Sequence, residues 1–416
     1  MTEIVITGTA AITAAGSGVE KLWEAMAAGE SFVRAGNGTP AALPWPSAPV
    51  DRSTVAWPEG QPWVNNRKYA NLSAHWAVSA ARQALERAGT ADPDGPPGPG
   101  SAARCGTVMA VGSNGDELSE IMPKLAVMAQ TDPRPLAKLL YDEVPDYSYI
   151  RGIPSQLGQF AAMASGFRGS NVAAYGEVGA GGLGALALAR RMIESGELDR
   201  VLVVGVAPPL SVGALAAFDR EEPLGTKAEL GRGPFDAERA GTLIGEAAAA
   251  VMIERAEVAR DRGVMPLADL SACETVTATS REAAAAAAVG AVLNLTGRNH
   301  GAWWAHGAGS VALDAEEART VGPLLGALPA TSSKGTIGNA FECSALIDVA
   351  LAVEAVRRGQ VPPVGLLQKP DPDLDVDAVA GTARRLEGDG SVVLTGFGQG
   401  RGASTVGAAV VAPSRN

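Results

Sequence analysis

The sequence predicts a layered α/β fold built from two similar halves. Three observations carry this. Short apolar or β-branched runs alternate with segments of helical periodicity along the chain. Arg200 to Val206, RVLVVGV, is an unbroken apolar strand of the kind needed in a sheet covered on both faces. The strand–helix rhythm of the first part returns in the second, which implies an internal duplication with halves at 1–245 and 246–416.

Taken in order, Glu3 to Thr7 reads as a strand, the small-residue run from Gly8 to Gly18 as a loop, and Val19 to Ala28 as a helix with apolar spacing at Leu22 and Met26. Residues 36–64, rich in Pro, Gly and Trp, read as a surface excursion. Ala70 to Gly89 is an amphipathic helix, and 91–100 is a Pro/Gly loop. Cys105 to Val111 is a buried strand. Gly112 to Gln130 is a turn and helix with Asp116 and Glu117 at its start, where the helix dipole favours acidic groups. A helix over 154–167 leads to a strand at Val172 to Tyr175. In the second half, Ala247 to Ile253 is a strand and 281–296 a helix. Ala302 to Ala305 is a strand, with Trp303 and Trp304 packing in the core. Helices follow at Asp314–Leu325 and Ala345–Arg358, and strands at Ser391–Thr395 and Thr405–Ala412 close the chain.

The chain has 416 residues, 46% of them hydrophobic, which is ample for a large core. Its net charge of −11 argues against a general nucleic-acid binder. Cys105, Cys273 and Cys343 are far apart and lack metal-ligand spacing, so a reduced, cytoplasmic protein with buried thiols and no metal or cofactor is expected. Neither a membrane-spanning helix nor a leader peptide is expected. His75 and His300 have no motif around them.

The stretch most suggestive of chemistry is VAAYGEVGAGGLGALALARRMIES, residues 172–195. A strand runs into a glycine-rich turn, Gly176 to Gly182, and then into a helix from about Leu183. Such an elbow presents one side chain at a helix N-terminus, where backbone N–H groups and the dipole favour an anion or thiolate. Here the reactive atom is missing: no Cys, Ser, Thr, His or Lys lies between Gly176 and Ala185.

Five segments in succession resemble the β-ketoacyl synthases. They are the N-terminal EIVITGTAAITAAGSG; GPFDAERAGTLIGEAAAAVMIE at 233–254; AHGAGSVALDAEE at 305–317; SSKGTIGNAFECSA at 332–345; and GFGQGRGAS at 396–404. The resemblance implies a thiolase fold of two duplicated halves in five αβαβα layers, and an obligate dimer. It also implies a site in which an elbow Cys takes the acyl chain as a thioester while two His residues stabilise an oxyanion.

Carried over residue by residue, the pattern departs at that site. Alignment on the helix puts Gly179 at the nucleophile position, and alignment on the preceding Gly169 turn puts Val178 there; Gly179 is preferred. The first His is His306. The second is replaced by Asn339, which can donate a hydrogen bond but cannot exchange a proton near neutral pH. Cys343 falls inside the following helix. Lys334, Asp314 and Glu317 read as a buried polar network, and Phe397 as packing over the vacated site.

Within the family, AGGL followed by ALA-ARR most resembles the chain-length factor of type II polyketide synthases. That resemblance implies a non-catalytic subunit paired with a Cys-bearing ketosynthase, which an acyl carrier protein serves. It also implies an elongation tunnel with wall candidates at Asp116 and Leu118. The alternative is an enzyme that uses His306 for cyclisation, condensation or decarboxylation without an acyl-Cys.

Overall fold

The computed structural model describes residues 2–35, 45–90, 102–112, 121, 125–207, 210, 215, 218–219, 224–225, 231–398 and 403–414. The first half contributes β1 (Ile4–Thr13), α1 (Val19–Ala27), α2 (Leu72–Arg87), β2 (Cys105–Val111), α3 (Pro154–Ser165), β3 (Asn171–Tyr175), α4 (Gly181–Glu194), β4 (Arg200–Val206) and β5 (Ala248–Arg255). The second contributes β6 (Ala268–Ala278), α5 (Arg281–Thr296), β7 (Ala302–Trp304), α6 (Val311–Leu325), β8 (Pro329–Thr331), α7 (Ser344–Arg358), β9 (Val392–Phe397) and β10 (Ser404–Ala412).

The duplication is explicit in the strand order. The first half runs β3-β2-β4-β5-β1 across the sheet and the second runs β8-β7-β9-β10-β6, so each position in one has its counterpart in the other. In each half the first two pairings are parallel and the last two antiparallel. The halves join where Val5 and Ile6 of β1 meet Asp269 and Ala268 of β6. The first set of five strands ends at Arg255 and the second begins at Ala268; the division expected at 245/246 falls just ahead of β5.

Five layers follow from the helix contacts. α2 and α3 cover the outer face of the first sheet, and α5, backed by α6, covers that of the second. α4 and α7 lie between the sheets, α4 touching β2, β4, β6 and β10, and α7 touching β5, β9 and β10. These middle helices must therefore be apolar nearly all round. α7 is buried from Ser344 to Ala355, and α4 buries Leu183, Leu186, Met192 and Ile193. Each such side chain contributes about 1.5–3 kcal/mol on leaving water. Helix starts follow the local sequence: Asn71 accepts from Ala74 N–H at 2.9 Å to cap α2, and Pro154 sits in the first turn of α3.

Three elements differ from the sequence reading. β1 runs on to Thr13 through the small-residue stretch expected to be a loop, because Gly8 to Ile12 pair with Ala248 to Met252 of β5. Gly8 lets α2 close on the strand: a Cβ there would lie 2.0 Å from the Ala84 carbonyl oxygen. The eleven-residue β6 was not expected, since Ser271, Glu274, Thr275 and Thr277 dilute its apolar signal. In the 36–64 excursion, Trp57 and Trp63 are buried in the core beneath α2 and α3. The elbow strand β3 ends the sheet, with Asn171 and Tyr175 exposed. No helix among the described residues is long and apolar enough to cross a membrane.

Candidate functional site

β3 delivers the chain to the elbow, and α4 leaves it. The turn is tight: a Cβ on Gly176 would lie 2.6 Å from the Cα of Gly181. Gly179 has φ +85°, in the left-handed region where side chains are disfavoured. A Cβ there would lie 2.2 Å from the Phe397 carbonyl oxygen and 2.6 Å from His306 Cε1. The fold therefore brings Gly179, His306 and Phe397 together, and the direction a side chain would take at 179 is already filled. Val178 is half-buried and packs against the central core.

His306 is buried on the loop between β7 and α6, its ring centroid 6.2 Å from that of Phe397. Burial, reinforced by the Lys334 and Arg281 cations, holds its pKa well below the ordinary 6.5, so the imidazole is neutral. The loop is held by its backbone. Glu317 accepts from the N–H of His306 and of Gly307, each at 2.8 Å, and from the Thr395 hydroxyl at 2.8 Å. Asp314 accepts from the N–H of Ala308 at 2.8 Å, Gly309 at 3.0 Å and Phe235 at 2.9 Å. Lys334 Nζ donates to the His306 carbonyl at 2.5 Å and lies 3.7 Å from Asp348. These groups form a positioning network, with none of the three carboxylates directed at the imidazole by a hydrogen bond among these contacts. Burial pushes Asp314 up to about 6 and Glu317 up to about 7 against the donors that favour their charged forms.

Asn339 pairs with Ile244, ahead of β5, its N–H donating to the Leu243 carbonyl. Its Oδ1 accepts from the Phe341 N–H and the Ser344 hydroxyl, both at 3.0 Å, so the side chain serves the turn into α7. Cys343 is fully buried at the start of α7. A helix start favours a thiolate, but burial outweighs it and pushes the thiol far up; Cys273 is pushed up to about 12 in the same way. His300 is buried against Ser391, 2.7 Å from Nδ1, and Trp303 and Trp304 are core residues. Asp116 and Leu118 lie outside the described residues.

Sequence reasoning missed Glu342. It is buried, and burial pushes its carboxyl up to about 7. The available signal was compositional: it is the one charged residue between Lys334 and Asp348.

The chain matches the N-terminal domain of the beta-ketoacyl synthases over residues 1–259 and their C-terminal domain over 268–367. It is 27% identical over 424 residues to the oxytetracycline polyketide beta-ketoacyl synthase 1 of Streptomyces rimosus, covering 95% of this chain and 94% of that one. It is 31% identical over 230 residues to the tetracenomycin polyketide synthase ketoacyl synthase beta subunit of Streptomyces glaucescens (52% of this chain, 56% of that one). It is 28% identical over 239 residues to the corresponding alpha subunit (53% and 55%), so identity alone does not separate the two subunit types. In structure it is similar to the ishigamide ketosynthase/chain length factor, with TM-score 0.82, 21% identity and full coverage of both chains. With the duplicated sheet, the elbow and the domain matches in agreement, the chain belongs to the β-ketoacyl synthase family.

Proposed function

We propose that this chain is the non-catalytic chain-length factor of a type II polyketide synthase. It pairs with a Cys-bearing ketosynthase subunit, which receives acyl units from an acyl carrier protein, and it shapes the tunnel in which the polyketide grows. The observation that carries this reading is the elbow: Gly179 has no reactive atom and no room for one. The relatives' descriptions as polyketide synthase subunits support it. An enzyme working through His306 alone would need a proton relay, and the carboxylates that hold its loop, Glu317 and Asp314, are committed to the loop backbone. Cys105, Cys273 and Cys343 are buried and form no disulfide, which suits a reducing cytoplasm.

Acylation is the first test. The isolated protein should form no covalent adduct with an acyl carrier thioester or a thiol-directed ketosynthase inhibitor, since Cys105, Cys273 and Cys343 are all buried and their thiols held protonated. Intact mass spectrometry reads this directly. A stoichiometric adduct in residues 172–190, or on Cys343, would sink the non-catalytic reading.

Assembly is the second. β3 offers an open sheet edge with Tyr175 67% exposed, and lone edges of this kind invite pairing. Co-expression with the ketosynthase should give a heterodimer burying on the order of 2,000 Å² or more, with β3 in the interface. Size exclusion with light scattering, followed by a product assay, checks it. A stable monomer at micromolar concentration in the presence of the partner would overturn it.

A further inference from the structure

Between β2 and α3 the chain makes an excursion whose last part, residues 131–153, holds a short helix at Leu136–Glu143 and a helical turn at Ser148–Arg151. Its charges are spent largely on one another. Arg134 pairs with Asp132 at 2.7 Å, Asp142 at 2.9 Å and Glu143 at 3.1 Å, and Lys138 pairs with Asp142 at 2.7 Å. Leu139 points inward and is fully buried. Beside these pairs, large apolar and aromatic side chains face solvent. Tyr141 is 83% exposed and Tyr149 78%, and Leu136, Ile150 and Ile153 are exposed with them. Scattered single exposed apolar residues need no explanation, but a short segment carrying five is the mark of a surface that meets a partner.

The segment is held in place before any partner arrives. Asn71 Nδ2 donates to the Arg151 carbonyl at 2.9 Å, and Arg151 Nη1 donates to the Lys68 carbonyl at 3.0 Å. Tyr147, left-handed at φ +69°, stands edge-on to Tyr69 with ring centroids 5.0 Å apart, and Lys68 Nζ lies 5.0 and 5.2 Å from the two rings. Its place in the fold follows from the chain path. β2 and β3 are parallel, so α3, which packs on both, runs back along them and starts toward the Tyr175 end of β3. Ile153 caps that start. The exposed side chains therefore stand at the same margin of the sheet as the open edge of β3.

Resting on the chain-length reading above, we propose that residues 136–153 are a second docking surface for the Cys-bearing ketosynthase subunit, continuous with β3, with Tyr141 and Tyr149 as the side chains that seat in it. Size is the argument for this occupant. A stable interface takes roughly 20–30 residues a side. β3 supplies five, and pairing along one short edge strand cannot bury the area that a lasting heterodimer needs. The excursion beside it supplies the missing surface in the residue types that carry binding energy: tyrosine and aliphatic side chains, with the neighbouring charges already paired. Because the segment is fixed through Asn71, Arg151 and the Tyr69–Tyr147 contact, little ordering is left to cost affinity on binding.

The test uses the full chain co-expressed with the ketosynthase, the dissociation constant of the complex being read by mass photometry on dilution. Tyr141→Ser combined with Tyr149→Ser should raise it by about tenfold or more, while the urea midpoint of the isolated chain stays put because both rings are exposed. Met265→Ser, an equally exposed apolar site ahead of β6 and away from β3, should leave it unchanged. Hydrogen exchange on the wild type gives a second reading, with added protection over 136–153 in the complex. An unaltered dissociation constant or no added protection overturns this inference alone. So does a wild type that self-associates through these tyrosines as tightly as it binds the ketosynthase, the surface then belonging to a second copy. So does lost product with an intact heterodimer, the surface then serving the acyl carrier protein. A wild type that forms no heterodimer overturns the chain-length reading, and this inference with it.

Discussion

Gly179→Ala should destabilise the protein by about 2–5 kcal/mol. The left-handed backbone, φ +85°, costs an L-residue about 1–2 kcal/mol. The added methyl would also meet the Phe397 carbonyl oxygen at 2.2 Å and His306 Cε1 at 2.6 Å. Neither neighbour yields easily: Phe397 ends β9, paired to Val406 of β10, and His306 is fixed through Glu317 and Lys334. Forced overpacking of this kind adds about 1–3 kcal/mol. Gly290, inside α5 with nothing within 4 Å of its would-be Cβ, is the matched control. Ala there should be neutral or stabilising by up to about 1 kcal/mol, because glycine is the poorer helix former. Urea unfolding of the two variants beside wild type decides it, and a loss below about 1 kcal/mol for Gly179→Ala would show that the elbow relaxes more readily than its contacts indicate. The same strain bears on function. Gly179→Cys would not by itself recreate an acylatable elbow, since the sulfur has no place until Phe397 and His306 move.

The loops that build the site were legible because their residues are chemically constrained. The run from Pro234 to Glu246, the His306 loop, the Lys334 turn and the Gly396–Gly398 stretch could each be named from sequence, and the fold gathers His306, Lys334 and Phe397 near one elbow. The order and sense of the strands were not legible. β6 carries polar residues throughout because part of it is half-exposed, so periodicity gave no strong period-two signal. The continuation of β1 is made of small residues with weak β preference; pairing to Ala248–Met252 and packing under α2 override that preference. Glu342 escaped notice for a different reason. A motif comparison attends to Cys and His, and the glycines that make room for this buried carboxyl, Gly112, Gly181 and Gly182, are brought around it only by the fold.

Glu317→Ala should be among the most damaging single changes in the chain, and more damaging in acid than in alkali. The carboxylate is the common acceptor for His306 N–H, Gly307 N–H and the Thr395 hydroxyl, each at 2.8 Å. Removing it strands three buried donors at about 1–3 kcal/mol each, so a loss of about 3–9 kcal/mol is expected at pH 5. Thr395 also accepts from Trp303 Nε1 at 2.9 Å, so the disturbance reaches the β7–β9 pairing and not only the loop. The pH dependence follows from burial, which raises Glu317 from 4.5 to about 7. A pKa raised on folding means the native state holds the proton more tightly than the unfolded chain does. The contribution is therefore fully present below about 4.5 and is lost as pH rises through about 7. Wild type gives up as much as about 3 kcal/mol across that window through this group, while Glu317→Ala has nothing to give up. The gap between the two should narrow from pH 5 to pH 8. Urea unfolding at both values measures it, with Glu317→Gln as a variant that keeps the volume but must turn an N–H₂ toward at least one N–H donor. A gap that widens with pH would mean that the three donors outweigh desolvation and that Glu317 is held as a carboxylate throughout.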